Sequence, residues 1–188
     1  MGNTNIVDFN RIIANPERGQ EIARLFMAAR SWTDDKTTRD AYDAFAAETE
    51  DQYRHMIASG LKVKFTENDP YPDARVMFAD VSRGVLKVFK SKPGHHPYMS
   101  VRETDVFRAV HDFHGHYGTG RGFDRHGEEA AWVRHSQMYS PLARRAMTTE
   151  TRAQNNAFIW VYQGRVFPPQ KMMLLPPWAS DVTNYDTL

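Results

Sequence analysis

Seven of the eight histidines, His95, His96, His111, His114, His116, His126 and His135, fall within 41 residues, beside Asp112, Asp124, Glu128 and Glu129. Imidazole and carboxylate are the ligands that hard and borderline divalent ions accept where no thiolate exists, and imidazole titrates nearest neutral pH. Cysteine is absent, which excludes disulfides, thiolate metal sites and cysteine nucleophiles together. Any metal here must use N and O donors. Taken singly, each histidine is better explained as a capping, exposed or hydrogen-bonded core residue; their density is what points to a shared site.

Spacing sorts these residues, because positions three or four apart share a helix face. In VFRAVHDFHGHYG, His111 and His114 lie beside Phe107 and Val110, with backbones about 4.5 Å apart along the axis, and could bind one ion. Asp112 and His116 form a second i, i+4 pair that falls with Asp105 and Arg108 on the more polar side, where they could be ligands, orienting groups or solvated residues. In GEEAAWVRHSQMY, Glu128, Ala131, Trp132, His135, Met138 and Tyr139 share one face. A carboxylate and an imidazole on an apolar stripe need partners, since an unpaired buried charge is costly. Glu128 and His135 are two turns, about 10.5 Å, apart, too far for one mononuclear ion. One is then a ligand and the other an acid/base or supporting group, or two ions span the gap.

Other segments offer flanking groups. Glu48, Gln52 and His55 line the edge of an earlier helix, and Glu150 and Gln154 share a face of a later one. The loop GTGRGFDRHG supplies Arg121, Arg125 and His126, and Arg152 is a further cation; guanidinium groups suit two-point recognition of phosphate or carboxylate. The sequence contains no HExxH, and no strand precedes the glycine-rich loop, so neither a zincin nor a dinucleotide or Walker-type site is expected. The adjacent His111-Asp112 resembles the doublet of metal-dependent phosphohydrolases.

The elements that must position these groups follow from periodicity and punctuation. Helical spacing marks residues 16–31, opened by Pro16, and 37–59, with Tyr42, Phe45, Thr49, Tyr53 and Met56 on one stripe closed by Gly60. Alternation marks strands at 61–65 and 85–89, with a short helix through 74–81 between them; the strands could form a βαβ unit or an antiparallel ribbon. Further helices are expected over 103–116, 127–139 and 149–162, the last with Thr148 or Thr149 as N-cap. The expected fold is a single domain over 1–188, α+β and mainly α, whose helices surround a polar site and whose two short strands cap one side. Residues 1–15 read as a flexible arm and 164–188 as an extended proline-rich tail.

Composition narrows the functions. Lys and Arg total 24 against 23 for Asp and Glu, a net charge of +1, which offers none of the positive field that broad duplex-DNA binding uses. No apolar run approaches the ~20 residues of a membrane span or resembles a signal peptide, so a soluble cytoplasmic protein without membrane partners is expected.

Across about three quarters of the chain, HPYMS (His96 to Ser100), FRAVHDFHGH (Phe107 to His116) and GEEAAWVRHSQMYSPLARRAMTTETRAQN (Gly127 to Asn155) resemble an uncharacterised segment of phage and mobile-element polyvalent proteins. The resemblance implies a phage origin and action in the cytoplasm of an infected bacterium. It emphasises His111, Asp112, Gly115, His116, Glu128, Glu129, Trp132, His135, Thr149, Glu150, Arg152 and Gln154, and departs from the pattern at His114, which tells against His114 as a ligand.

The function expected is hydrolysis of a phosphoester or nucleotide-like substrate with a divalent metal, zinc, manganese, magnesium or iron. His111, Asp112 or His116, and Glu128 would hold the ion, with His114 a further candidate. His135 or Glu129 would move the proton, and Arg121, Arg125 or Arg152 would hold the anion, with Glu150 nearby. A non-haem iron oxygenase could use the same ligands. A non-catalytic accessory protein would instead use the cluster as a hydrogen-bond network and bind a host or virion protein through a patch near Met172 to Trp178.

Overall fold

Most helix ends follow from local side-chain chemistry. In the computed structural model, which describes residues 7–188, α1 (Pro16–Ala28) starts at Asn15, whose side chain accepts a hydrogen bond from the Arg18 N–H. α2 (Lys36–Ala58) starts at Asp35, which accepts from the Thr38 N–H, and buries Ala41, Tyr42, Phe45, Thr49 and Met56. It packs against α4 (Val101–His111) and α6 (Pro141–Thr148). β1 (Ile12–Ile13) precedes α1; β2 (Lys62–Thr66) and β3 (Val85–Phe89) pair in parallel, with Val63 opposite Leu86 and Phe65 opposite Val88, and α3 (Ala74–Ser82) connects them. Of the two strand arrangements the sequence allowed, the chain adopts the βαβ unit.

A reciprocal capping box between Ser100 and Glu103 starts α4. The helix continues beyond His111 as a π-helical turn over Asp112–Tyr117. α5 (Arg125–Ser136) starts at Asp124, which accepts from the His126 and Gly127 N–H groups. α6, a second π-helical turn over Thr149–Ala153, and α7 (Gln154–Trp160) form one helical run. The expected start at Thr148 or Thr149 is therefore corrected. Ser140 followed by Pro141 at N1 is the stronger signal, and the two threonines lie inside the run, Thr149 donating to the Met173 carbonyl at 2.7 Å.

α5 lies at the centre, with Ala130, Ala131, Trp132 and Val133 fully buried. Its first turn fits against the preceding loop only because residue 127 is glycine; a Cβ there would overlap the Gly122 carbonyl oxygen. The expected free arm is also corrected. Phe9–Arg11 is a 3-10 turn, and β1 pairs antiparallel with β4 (Asp186–Thr187), burying Ile12 completely. Arg18 holds Asp186 at 2.9 Å beside this ribbon. Residues 1–6 of the expected arm lie outside the described residues. The C-terminal stretch crosses the helices in largely irregular conformation and buries Met172, Met173, Leu174 and Leu175. The architecture is a mainly helical α+β domain with small two-stranded sheets. Among the described residues no helix is long and apolar enough to cross a membrane.

Candidate metal centre

The π-helical turn determines which histidines meet. In an α-helix, residues five apart are rotated about 140° from one another, so His111 and His116 would face different ways. The wider i to i+5 turn brings them together, with ring centroids 5.2 Å apart. Gly115 leaves the room: a Cβ there would stand 3.1 Å from the Ala131 Cβ and 3.2 Å from His111 Nδ1. The first turn of α5 then brings Glu128 to the pair, its Oε1 3.6 Å from His116 Nε2. Asn155 on α7 donates to Glu128 Oε2. One donor atom each from His111, His116 and Glu128 lies within 4.8 Å of the others.

Hydrogen bonding fixes what His111 can offer. Gln52 Nε2 donates to the Met138 carbonyl at 3.3 Å, which turns its Oε1 toward His135 Nε2 at 3.0 Å. An amide oxygen can only accept, so His135 carries its proton on Nε2 and presents a lone pair on Nδ1. That lone pair faces His111 Nδ1 at 3.1 Å. Burial holds both imidazoles neutral, with pKa values well below the ordinary histidine value. His111 therefore donates through Nδ1 and keeps its lone pair on Nε2. Nε2 is buried with no hydrogen-bond partner. A ring that donates from one nitrogen to an ordered acceptor and bares the other is the arrangement metal-bound histidines use.

His116 donates Nδ1–H to the Arg121 carbonyl at 3.2 Å, leaving Nε2 toward Glu128. Burial alone would lower its pKa, but the Glu128 and Asp112 carboxylates and the Arg121 carbonyl outweigh it and raise the value to about 9. Without a cation the pair is imidazolium and carboxylate. Burial pushes Asp112 up to about 7, opposed by the His116 charge.

The centre opens into space. A cavity of ≈ 180 Å³ is lined by His111, Asp112, His116, Glu128 and Glu150 among others. Arg108, Asp112, Phe123, Glu128, Asn155 and Phe167 line both this chamber and an outer cleft of ≈ 640 Å³. Arg125 and Lys87 line the cleft but not the chamber.

Several expected residues lie elsewhere. His114 turns away because the π-helical turn breaks its α-helical register with His111. Its ring stacks 6.1 Å from His135, and burial lowers its pKa to about 4. Glu129, expected as a proton carrier, and Arg152, expected as a substrate arm, form a buried ion pair with one another, Arg152 Nε to Glu129 Oε2 at 3.1 Å. Arg152 also donates to the carbonyls of Ala179 and Asn184 and lies 3.8 Å over the Trp132 ring. With all three guanidinium nitrogens hydrogen-bonded, it anchors the tail. Arg121 lines neither the chamber nor the cleft, and its Nη1 donates to the carbonyls of Phe9 and Asn10, at 2.7 and 2.9 Å. His135 has both nitrogens engaged and orients His111. Glu150, in the chamber wall, accepts from Tyr42 at 2.7 Å, His96 at 3.1 Å and Gln154 at 2.8 Å.

Sequence reasoning gave Gln52 no more than a flanking place, passed over Asn155 and read Arg108 as merely polar. The signal for Arg108 was its position four residues before Asp112; Gln52 and Asn155 meet the site only through tertiary packing. No family model, curated protein or solved structure matches the chain.

Proposed function

We propose that this chain is a metal-dependent hydrolase acting on a phosphoester or nucleotide-like substrate. The observation that carries the reading is the buried, partnerless His111 Nε2 grouped with His116 and Glu128 at a cavity. Two imidazoles and a carboxylate suit zinc, manganese or iron better than magnesium, which prefers oxygen ligands. The ion would supply a bound water of lowered pKa and a positive charge against which a phosphoryl oxygen can rest. Asp112, at the mouth between chamber and cleft, is placed to take the proton from the attacking water. Arg125, exposed in the cleft, meets the anion as it enters. Arg108 lines both spaces, oriented by its bonds to the Phe89 carbonyl and His95.

The test is metal quantification on untagged protein, with hydrolysis assayed on aryl phosphates and nucleotides. His111→Ala and Glu128→Gln are expected to lose both ion and turnover, while Asp112→Asn keeps the ion and loses turnover. The reading fails if neither occupancy nor turnover responds. The same two-histidine, one-carboxylate set favours a second reading, oxygen activation at iron(II); colour and oxygen-dependent turnover after anaerobic iron loading separate the two.

A further inference from the structure

The outer cleft has a character that the metal site alone does not explain. Phe89, Phe123 and Phe167 line it while 40%, 42% and 49% exposed. Large apolar rings left this open at a concave site mark a binding surface, and their faces offer a stacking platform to a flat group. Phe123 lines both spaces, its ring 4.9 Å from that of His116. Phe167 comes from the C-terminal stretch and leans on Phe158, with centroids 5.4 Å apart. A cleft of ≈ 640 Å³ falls within the usual range for small-ligand sites, and the ≈ 180 Å³ chamber behind it leaves space for a phosphoryl group.

Charge sharpens the choice. Asp112 and Glu128 stand at the inner end, and Asp69 and Asp124 also line the cleft, against Lys87, Arg108 and Arg125. Lys87 is already engaged by Asp80 at 2.8 Å. Arg108 and the His116 imidazolium are balanced at the inner end by Asp112, Glu128 and Glu150, so a phosphate gains most there when a metal ion is added, whereas an uncharged aromatic group can occupy the outer part regardless.

We infer that the outer cleft is a nucleobase site: a mononucleotide stacks its base on Phe167 and Phe123 and directs its phosphate into the histidine chamber. This rests on the hydrolase reading for the phosphate but not for the base. Two consequences follow. Nucleosides bind the metal-free protein, and nucleoside 5′-monophosphates gain affinity only when zinc or manganese is added.

The experiment is calorimetric titration of the full chain with the four ribonucleosides and their 5′-monophosphates, with and without zinc, using octanol as an apolar control. Phe167→Ala should weaken nucleoside binding about ten-fold, Phe167→Trp should retain it, and Phe167→Leu should behave like Ala, because stacking needs a ring rather than bulk. Circular dichroism checks that each variant is folded, and half-exposed Phe167 makes all three tolerable. The inference is overturned if nucleosides do not bind, if octanol competes equally, or if Phe167→Leu binds as wild type. Nucleoside binding without any zinc-dependent gain for the monophosphate would keep the base site and sink the metal reading. A metal-dependent turnover of aryl phosphates with no nucleoside binding would do the reverse.

Discussion

Gln52→Leu removes the acceptor of His135, together with the donor to the Met138 carbonyl, without touching the three proposed metal ligands, and the consequence can be worked through the histidine chain. Without the Gln52 oxygen at 3.0 Å, His135 has nowhere to donate Nε2–H. Its neutral ring shifts the proton to Nδ1, which faces His111 Nδ1 at 3.1 Å. His111 must then accept there and carry its own proton on Nε2, the atom that would bind the ion. Losing such a supporting partner typically costs 10–100-fold in metal affinity, about 1.4–2.8 kcal/mol. The metal-free protein should also lose about 1–3 kcal/mol, because a buried polar atom is left unsatisfied. Zinc competition against a chromophoric chelator gives the first quantity and urea unfolding the second. Nitrogen-15 chemical shifts of the histidines read the tautomers directly. Unchanged zinc affinity, or an unchanged His111 tautomer in a folded variant, would refute the relay.

Gly115→Ala places a methyl group 3.2 Å from His111 Nδ1 and 3.1 Å from the Ala131 Cβ; overpacking should cost about 1–3 kcal/mol and weaken zinc binding together, as thermal unfolding and chelator competition will show. Glu129→Gln leaves the buried Arg152 charge without its counter-ion, so unfolding stability should fall by about 3 kcal/mol or more while zinc affinity in the folded protein is unchanged; a large affinity loss would return Glu129 to the site. The folded-state pKa of His116, about 9, exceeds its ordinary value of 6.5. Its protonation therefore stabilises the metal-free protein fully below about pH 6.5, and roughly 3 kcal/mol is lost as pH rises to about 9. Zinc binding, which displaces that proton, should tighten up to about ten-fold per pH unit over the same interval. Melting curves and zinc titrations from pH 6 to 9 check both signs, and flat profiles would contradict the buried His116–Glu128 pair.

Most of the helices and the strand pair were legible in sequence because their signals are local: Pro16 for the start of α1, apolar spacing for α2, alternation for β2 and β3. The π-helical turn at Asp112–Tyr117 was not, because one widened turn leaves no periodic trace, and helical-wheel reasoning then paired His111 with His114 instead of His116. α5 misled for a different reason. It is buried on nearly every side, so an apolar stripe could not tell Glu128, at the cavity, from Glu129, paired inside the core. The two-turn separation of Glu128 and His135 did carry information: they serve different partners, Glu128 facing His116 and His135 supporting His111. The β1–β4 ribbon joins chain ends too far apart in sequence for local signals to reveal.

The central claim is that His111, His116 and Glu128 bind one divalent ion. Anomalous diffraction from crystals of untagged protein loaded with one equivalent of zinc tests it most directly. The account predicts a single strong peak bonded to His111 Nε2, His116 Nε2 and a Glu128 oxygen, with His111 Nδ1 still against His135. A peak held by other residues, or none at saturating zinc while the His116–Glu128 pair stays intact, would contradict it.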